Sequence, residues 1–240
     1  MELSSSEIKS NYNIVQEKIH HAAEMTGRNF DEVELVVVSK GHSVNVVKAA
    51  LDAGIHTLGE NYVEEAEQKI KEFQGQTDIK WHMIGHIQSR KARKVCELFD
   101  YIHSLDSVKL ARRLDRFAEK IERKLPVLLE CNVSGEESKY GWKAWDKGRW
   151  EELLPEFTEI SSFANLKIRG LMTMAPLVLN IEDTRPYFMR LRELREYLNL
   201  EIRDANWEEL SMGMSADFQI AIQEGATIIR VGTAILGERV

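Results

Sequence analysis

Leu35-Val36-Val37-Val38-Ser39-Lys40 is the first strongly apolar run of the chain, and it ends on a primary amine where the backbone leaves a predicted strand. A strand alternates its side chains between two faces, so Val36, Val38 and Lys40 share one side while Leu35, Val37 and Ser39 share the other. If the first side is the inside of a barrel, the ammonium sits at its mouth. Partial desolvation there lowers its pKa and leaves neutral amine able to attack an aldehyde and form a Schiff base. The plainer reading lays the lysine stem along the strand end with its head in water.

Outward from this run, strand and helix signals alternate to the end of the chain. Further strands are predicted at 56–59, 81–84, 101–104, 127–131, 168–172, 209–212 and 228–231, with helices between them at 44–53, 62–73, 90–98, 107–123, 150–163, 184–198 and 217–224. An amphipathic helix precedes them from about Ser4 to Met25, with Ser4 and Glu7 at capping-box spacing and Ile8, Tyr12, Val15 and Ile19 as its apolar stripe. Eight strands alternating with seven connecting helices predict an α/β fold, a single closed (β/α)8 barrel over residues 1–240. A doubly wound open sheet is the rival, but no G-x-G-x-x-G follows the first strand. Gly54 and Gly225 read as helix C-terminal glycines.

The length of 240 residues suits one such barrel, and 43% apolar residues is ample for its core. A formal charge of −7 argues against general binding to nucleic acid or to an anionic membrane, and the patch Arg90-Lys91-Ala92-Arg93-Lys94 reads as a solvated helix face. No basic-then-apolar leader opens the chain and no apolar stretch approaches spanning length, which predicts a cytoplasmic protein without membrane contact. Cys96 and Cys131 make no disulfide framework and read as free thiols.

In a parallel barrel the chemistry lies at the C-terminal strand ends. Those ends collect Lys40, Glu60-Asn61-Tyr62, His82, His86, His103-Ser104, Asn132, Thr173-Met174, Ser211-Met212-Gly213-Met214-Ser215 and Arg230-Val231-Gly232-Thr233. Glycine-rich turns leading into helices expose backbone N–H groups and a positive dipole end that suit a phosphate, and Ser211, Ser215 and Thr233 add hydroxyls. Glycines needed only for tight turns, with Thr233 as an N-cap, are the alternative. Arg230 shares the parity of Ile228, so its guanidinium points inward and needs an acceptor, either a ligand or an internal carboxylate such as Glu60.

A phosphate cradle, a Schiff-base lysine and an inward arginine are what pyridoxal 5′-phosphate (PLP) requires. Val38-Ser39-Lys40, Gly59-Glu60-Asn61-Tyr62, the segment from Trp81 to Gln88, that from Ser134 to Gly141, Gly170 to Met174, Arg185-Pro186-Tyr187-Phe188, Leu210 to Phe218 and Val231 to Arg239 together resemble the YggS/PROSC family of PLP homeostasis proteins, over nearly the whole chain and in strand order. The resemblance implies an alanine-racemase-like barrel of PLP fold type III carrying PLP as an internal aldimine on Lys40. It implies phosphate binding at Ser211, Ser215, Gly232 and Thr233 with Met212 in the same loop, Asn61 near the ring, and Arg230 facing the pyridine nitrogen. An arginine there cannot protonate the ring and leaves it a weaker electron sink than an Asp partner would. The segment from Trp142 to Trp150 departs from the pattern in its tryptophans and charges, and packing against a neighbouring helix is the expected reason.

Racemases of this fold use a second base from an added β-domain and close the site with a partner subunit. Here the sequence ends at Val240, soon after Thr233, so no C-terminal β-domain is expected. The expectation is therefore a monomeric PLP carrier serving vitamin B6 and amino-acid homeostasis, with no catalytic residue and with PLP-requiring apo-enzymes as partners. The alternative is a weak PLP-dependent amino-acid racemase whose second base is a residue such as Tyr62 or His82. A barrel aldolase acting through Lys40 and a zinc site on His82 and His86 are further rivals. The zinc site is disfavoured because Met83-Ile84-Gly85 reads as a strand end and the Glu of H-E-x-x-H is missing.

Overall fold

The computed structural model describes residues 2–239. Helix α1 (Ser5–Glu24) opens with the reciprocal cap read from the sequence: the Glu7 N–H donates to the Ser4 hydroxyl and the Ser4 N–H donates to the Glu7 carboxylate. Its buried face, Ile8, Val15 and Ile19 included, packs against the end of the barrel domain, on α8 and α9. There follow β1 (Glu34–Val38), α2 (Val44–Asp52), β2 (Thr57–Glu60), α3 (Val63–Glu72), β3 (Lys80–Met83), α4 (Ala92–Leu98), β4 (Tyr101–Leu105), α5 (Val108–Lys120) and β5 (Leu125–Asn132). The second half adds β6 (Trp142–Lys143), α6 (Leu154–Ser161), β7 (Leu166–Met172), α7 (Arg185–Glu201), β8 (Glu209–Ser211), α8 (Phe218–Gln223), β9 (Ile228–Val231) and α9 (Thr233–Leu236).

All the strand pairings are parallel. The order is β4-β3-β2-β1-β9-β8-β7-β5, and a further β4–β5 ladder joins the two ends. That ladder decides between the two folds weighed above, because an open sheet leaves two edges and this one leaves none. The eight staves of the (β/α)8 barrel are those predicted. The two-residue β6 was not predicted: it hangs on the end of β5 beside Cys131 and Asn132. Gly141, at φ +97°, makes this possible, since a Cβ there would stand 2.4 Å from the Glu130 carbonyl oxygen.

Strand parity is as read for β1. Leu35 and Val37 belong to the large apolar layer between barrel and helices, whereas Val36 packs inside the barrel with Leu128, Met172 and Ile228. The tryptophan-rich segment packs as expected. The Trp142 indole N–H donates to Glu156 on α6 at 2.7 Å and its ring meets Phe157 edge-on, and the Trp150 indole N–H donates to the Ala144 carbonyl at 3.0 Å. The basic patch is a solvated face whose Lys91 and Lys94 pair with Glu64 and Glu67 of α3. Cys96 and Cys131 are free and buried. Among the described residues no helix is long and apolar enough to cross a membrane.

Candidate functional site

A cavity of about 270 Å³ opens at the C-terminal ends of β1, β2, β8 and β9, lined among others by Lys40, Asn61, Ser215, Arg230, Gly232 and Thr233. Lys40 is half-buried, and its Nζ has no hydrogen-bond or ion-pair partner among the described residues. Burial, followed by the positive charges of Arg239 and Arg230, pulls its pKa below the ordinary lysine value, and Glu60 and Glu65 oppose this only in part. A larger fraction of neutral, nucleophilic amine results.

The chain on either side of Lys40 is pinned by a buried lysine of α3. Lys69, only 2% exposed, donates to the Ser39 carbonyl at 2.7 Å and to both Glu60 and Glu65 at 2.6 Å. Glu65 in turn accepts the Gly41 N–H at 2.6 Å, and Glu60 accepts the Ser39 hydroxyl at 2.7 Å. Both neighbours of Lys40 are thereby held while its own side chain stays free. The same network corrects the internal pairing considered for Arg230. Leu58 faces the helices and Gly59 the barrel interior, so Glu60 falls on the outer side, out of reach of Arg230 and opposite Lys69.

Arg230 does point inward. It is buried, donating through Nη2 to the Thr173 carbonyl at 2.9 Å and through Nη1 to the Ser211 hydroxyl. Burial pushes it down to about 10, which still leaves a cation at neutral pH. Ser211 Oγ lies 2.9 Å from His103 Nδ1, and His103 Nε2 lies 3.0 Å from His82 Nδ1, so a row of polar groups descends through the barrel interior. Burial keeps both imidazoles neutral, with His82 lowered to about 3.

Where an anion cradle was expected, the cavity wall presents discrete groups. Helix α9 is a single turn, too short for an appreciable dipole. The N–H groups of Ser215, Ala216 and Thr233, all at the cavity wall, have no partner among the described residues, and the Gly232 N–H donates to Ser215 Oγ at 3.3 Å. A Cβ on Gly232 would meet the Val38 carbonyl oxygen at 3.1 Å, closing part of this wall. Ser211 and Met212 stand apart from the cavity lining: the Ser211 hydroxyl is engaged by Arg230 and His103, and the Met212 side chain is in the core. Asn61 lines the cavity with its Oδ1 buried and unpartnered.

A second cavity, of about 400 Å³, adjoins the first and shares Asn61, Ile84 and Met174 with it. Its walls include Tyr62, His86, Tyr140 and Glu130. His86 pairs with Asp106 at 2.9 Å and stacks on Tyr140, while His82 is engaged with His103, so the two do not share a metal; no metal-binding group of three such side chains occurs among the described residues. Lys69 and Glu130 were missed in the sequence. Parity on β5 carries the signal for Glu130, because Val127, Leu129 and Cys131 face the helices and leave Glu130 inside. Lys69 carries no such signal, being one of two lysines on an amphipathic helix.

Comparison with known proteins agrees with this geometry. The family model for the alanine racemase N-terminal domain matches residues 4–240. A pyridoxal phosphate homeostasis protein of Haemophilus influenzae is 38% identical over 233 residues, covering 97% of this chain and 96% of its own; that of Escherichia coli K12 is 37% identical over 237 residues, covering 98% and 97%. PipY of Synechococcus elongatus, solved with PLP bound, superposes with a TM-score of 0.79 at 37% identity, over 92% of this chain and 100% of its own. An alanine racemase of Clostridium difficile shares the barrel at a TM-score of 0.71 and 13% identity, over 96% of this chain and 56% of its own, a likeness of fold alone. The chain therefore belongs to the alanine racemase N-terminal domain family and, within it, to the YggS/PROSC group of pyridoxal phosphate homeostasis proteins.

Proposed function

We propose that this protein holds PLP covalently on Lys40 and serves intracellular vitamin B6 and amino-acid homeostasis without robust catalysis. The observation that carries the reading is an unpartnered, half-buried amine of lowered pKa facing unpartnered backbone N–H groups across one cavity. The residues present fit the cofactor. Ser215, Gly232 and Thr233 would hold the phosphate, with Ser211 and Met212 shaping that loop from beneath; Asn61, on the cavity wall, would lie near the ring, and Arg230 would keep a fixed positive charge beside the ring nitrogen. When bound, PLP supplies an aldehyde that condenses with amines and a ring that draws electrons from them. Arg230 tempers the second property because it retains its own proton. Ser39 and Gly41, clamped through Lys69, keep the Lys40 amine at the mouth.

The test is the visible absorption spectrum of the purified protein beside Lys40→Ala, followed by borohydride reduction and peptide mapping. The expected result is a yellow wild-type protein with the pyridoxyl adduct on Lys40 and no adduct at that site in the variant. A colourless protein that takes up no PLP overturns the reading. The racemase alternative requires steady L-to-D conversion that Lys40→Ala abolishes. Of its two bases, Tyr62 lines the adjoining cavity, whereas His82 is committed to His103. Delivery as a monomer to PLP-requiring apo-enzymes is part of the same proposal. It demands that loaded protein reactivate an apo-enzyme faster than an equal amount of free PLP, and that light scattering return one chain.

A further inference from the structure

Glu130 stands inside the barrel at the end of β5, only 3% exposed. Its carboxylate has no hydrogen-bond or ion-pair partner among the described residues; its ionisation responds to burial first, then to the like charge of Asp106 and to Arg230. A buried carboxylate left this way is costly unless a donor reaches it. It lines the cavity of about 400 Å³ that adjoins the Lys40 cavity, with Asn61 on the shared wall. A buried acceptor without a donor selects a ligand that brings hydrogens. The wall also carries aromatic rings, Tyr62 and a Tyr140 that stacks on His86 at 3.8 Å between ring centroids, beside Ile84, Met174, Gln88 and Lys91. A carboxylate that shares a cavity with tyrosine rings suits a compact cation with several N–H donors. A metal ion is a poorer match, since no group of three metal-binding side chains occurs here among the described residues.

We propose that this cavity binds the ammonium group of a small primary amine, amino acids included, with Glu130 as its counter-ion, beside the amine of Lys40. The inference rests on the carrier reading for its biological sense, because an amine held there waits next to the group that carries the cofactor. Ethylamine and L-alanine share the ammonium and differ in the carboxylate, for which Gln88 lines the wall beside a Lys91 already paired with Glu64.

The experiment is ligand-observed NMR titration of the protein as purified, and again after borohydride treatment to block covalent exchange at Lys40, with ethylamine, L-alanine and propionate as probes. Ethylamine is expected to bind in both preparations, about tenfold more weakly in Glu130→Gln, and propionate not to bind. Tighter binding of L-alanine than of ethylamine assigns the site to amino acids, and equal binding assigns it to amines at large. A wild-type pH series keeps the inference falsifiable should the variant misfold. The groups around Glu130 are Asp106 and His86 from the ends of β4 and β3, Arg230 from β9, and Tyr62, Lys91 and Tyr140 across the cavity. Ethylamine affinity is expected to climb between pH 6 and 8 as Glu130, raised to about 7, ionises. No binding, binding indifferent to Glu130→Gln in folded protein, or a flat pH profile overturns the inference. A colourless protein that binds ethylamine through Glu130 keeps this site and overturns only the carrier reading; a yellow protein that binds none does the reverse.

Discussion

Lys40 and Glu130 are perturbed by the same cause in opposite directions, since burial disfavours charge on either: the amine is pulled down and the carboxyl is pushed up to about 7. For Glu130 the consequence for stability has a definite sign. Between about pH 4.5 and 7 the folded protein holds a proton that the unfolded chain has released, so stability is lost as pH rises through that window and the loss is complete above it. Glu130→Gln should therefore unfold at higher denaturant concentration than wild type at pH 8, by a margin of about 1–3 kcal/mol, and the margin should vanish at pH 4. Equal midpoints at pH 8 would mean that the carboxylate finds a partner. Lys40 was legible from sequence because it ends an apolar run. Glu130 sits within the run 127–131 and shows itself only when parity is followed through β5.

At the scale of elements, α3 does more than cover the barrel. Its Lys69 joins Ser39, Glu60 and Glu65 and so fixes the turn that presents Lys40. Removing one partner of a buried pair leaves the other charge uncompensated, so Lys69→Met should cost about 3–5 kcal/mol in urea unfolding. Lys69→Met combined with Glu60→Gln should recover part of that loss; no recovery would mean that Lys69 acts through packing alone. Long elements were readable because apolar runs and capping residues are local signals, as at Ser4 and Glu7. The short ones were not. Strand β6 is two residues held by β5, and α9 is one turn, so contacts distant in sequence create both. Glu60 was legible as a rim residue, but its partner depended on which face of β2 it occupied, and Gly59 and Leu58 settle that only once the barrel is closed.

Across the whole molecule, the β4–β5 ladder makes each strand dependent on two neighbours, and we expect residues 1–240 to unfold as one unit, with circular dichroism and tryptophan fluorescence following the same urea curve. Separate transitions would divide the chain. Acid should weaken it as well. His82 and His103 stay neutral in the fold below the ordinary histidine value of 6.5, where the unfolded chain takes up protons, so their contribution to stability is lost as pH falls from about 6.5 toward 3. A stability profile flat from pH 7 to 4 in Glu130→Gln would contradict this. The row that contains these histidines has one more property. An arginine only gives hydrogens, so Ser211 accepts one from Arg230, and its hydroxyl still has both a proton to give His103 Nδ1 and a lone pair to receive from it. Whichever way that link runs, the next follows, because His103 Nε2 then takes the opposite part toward His82 Nδ1. Both imidazoles are thus the same tautomer, and turning one over turns the whole row, so the barrel interior behaves as a single two-way switch.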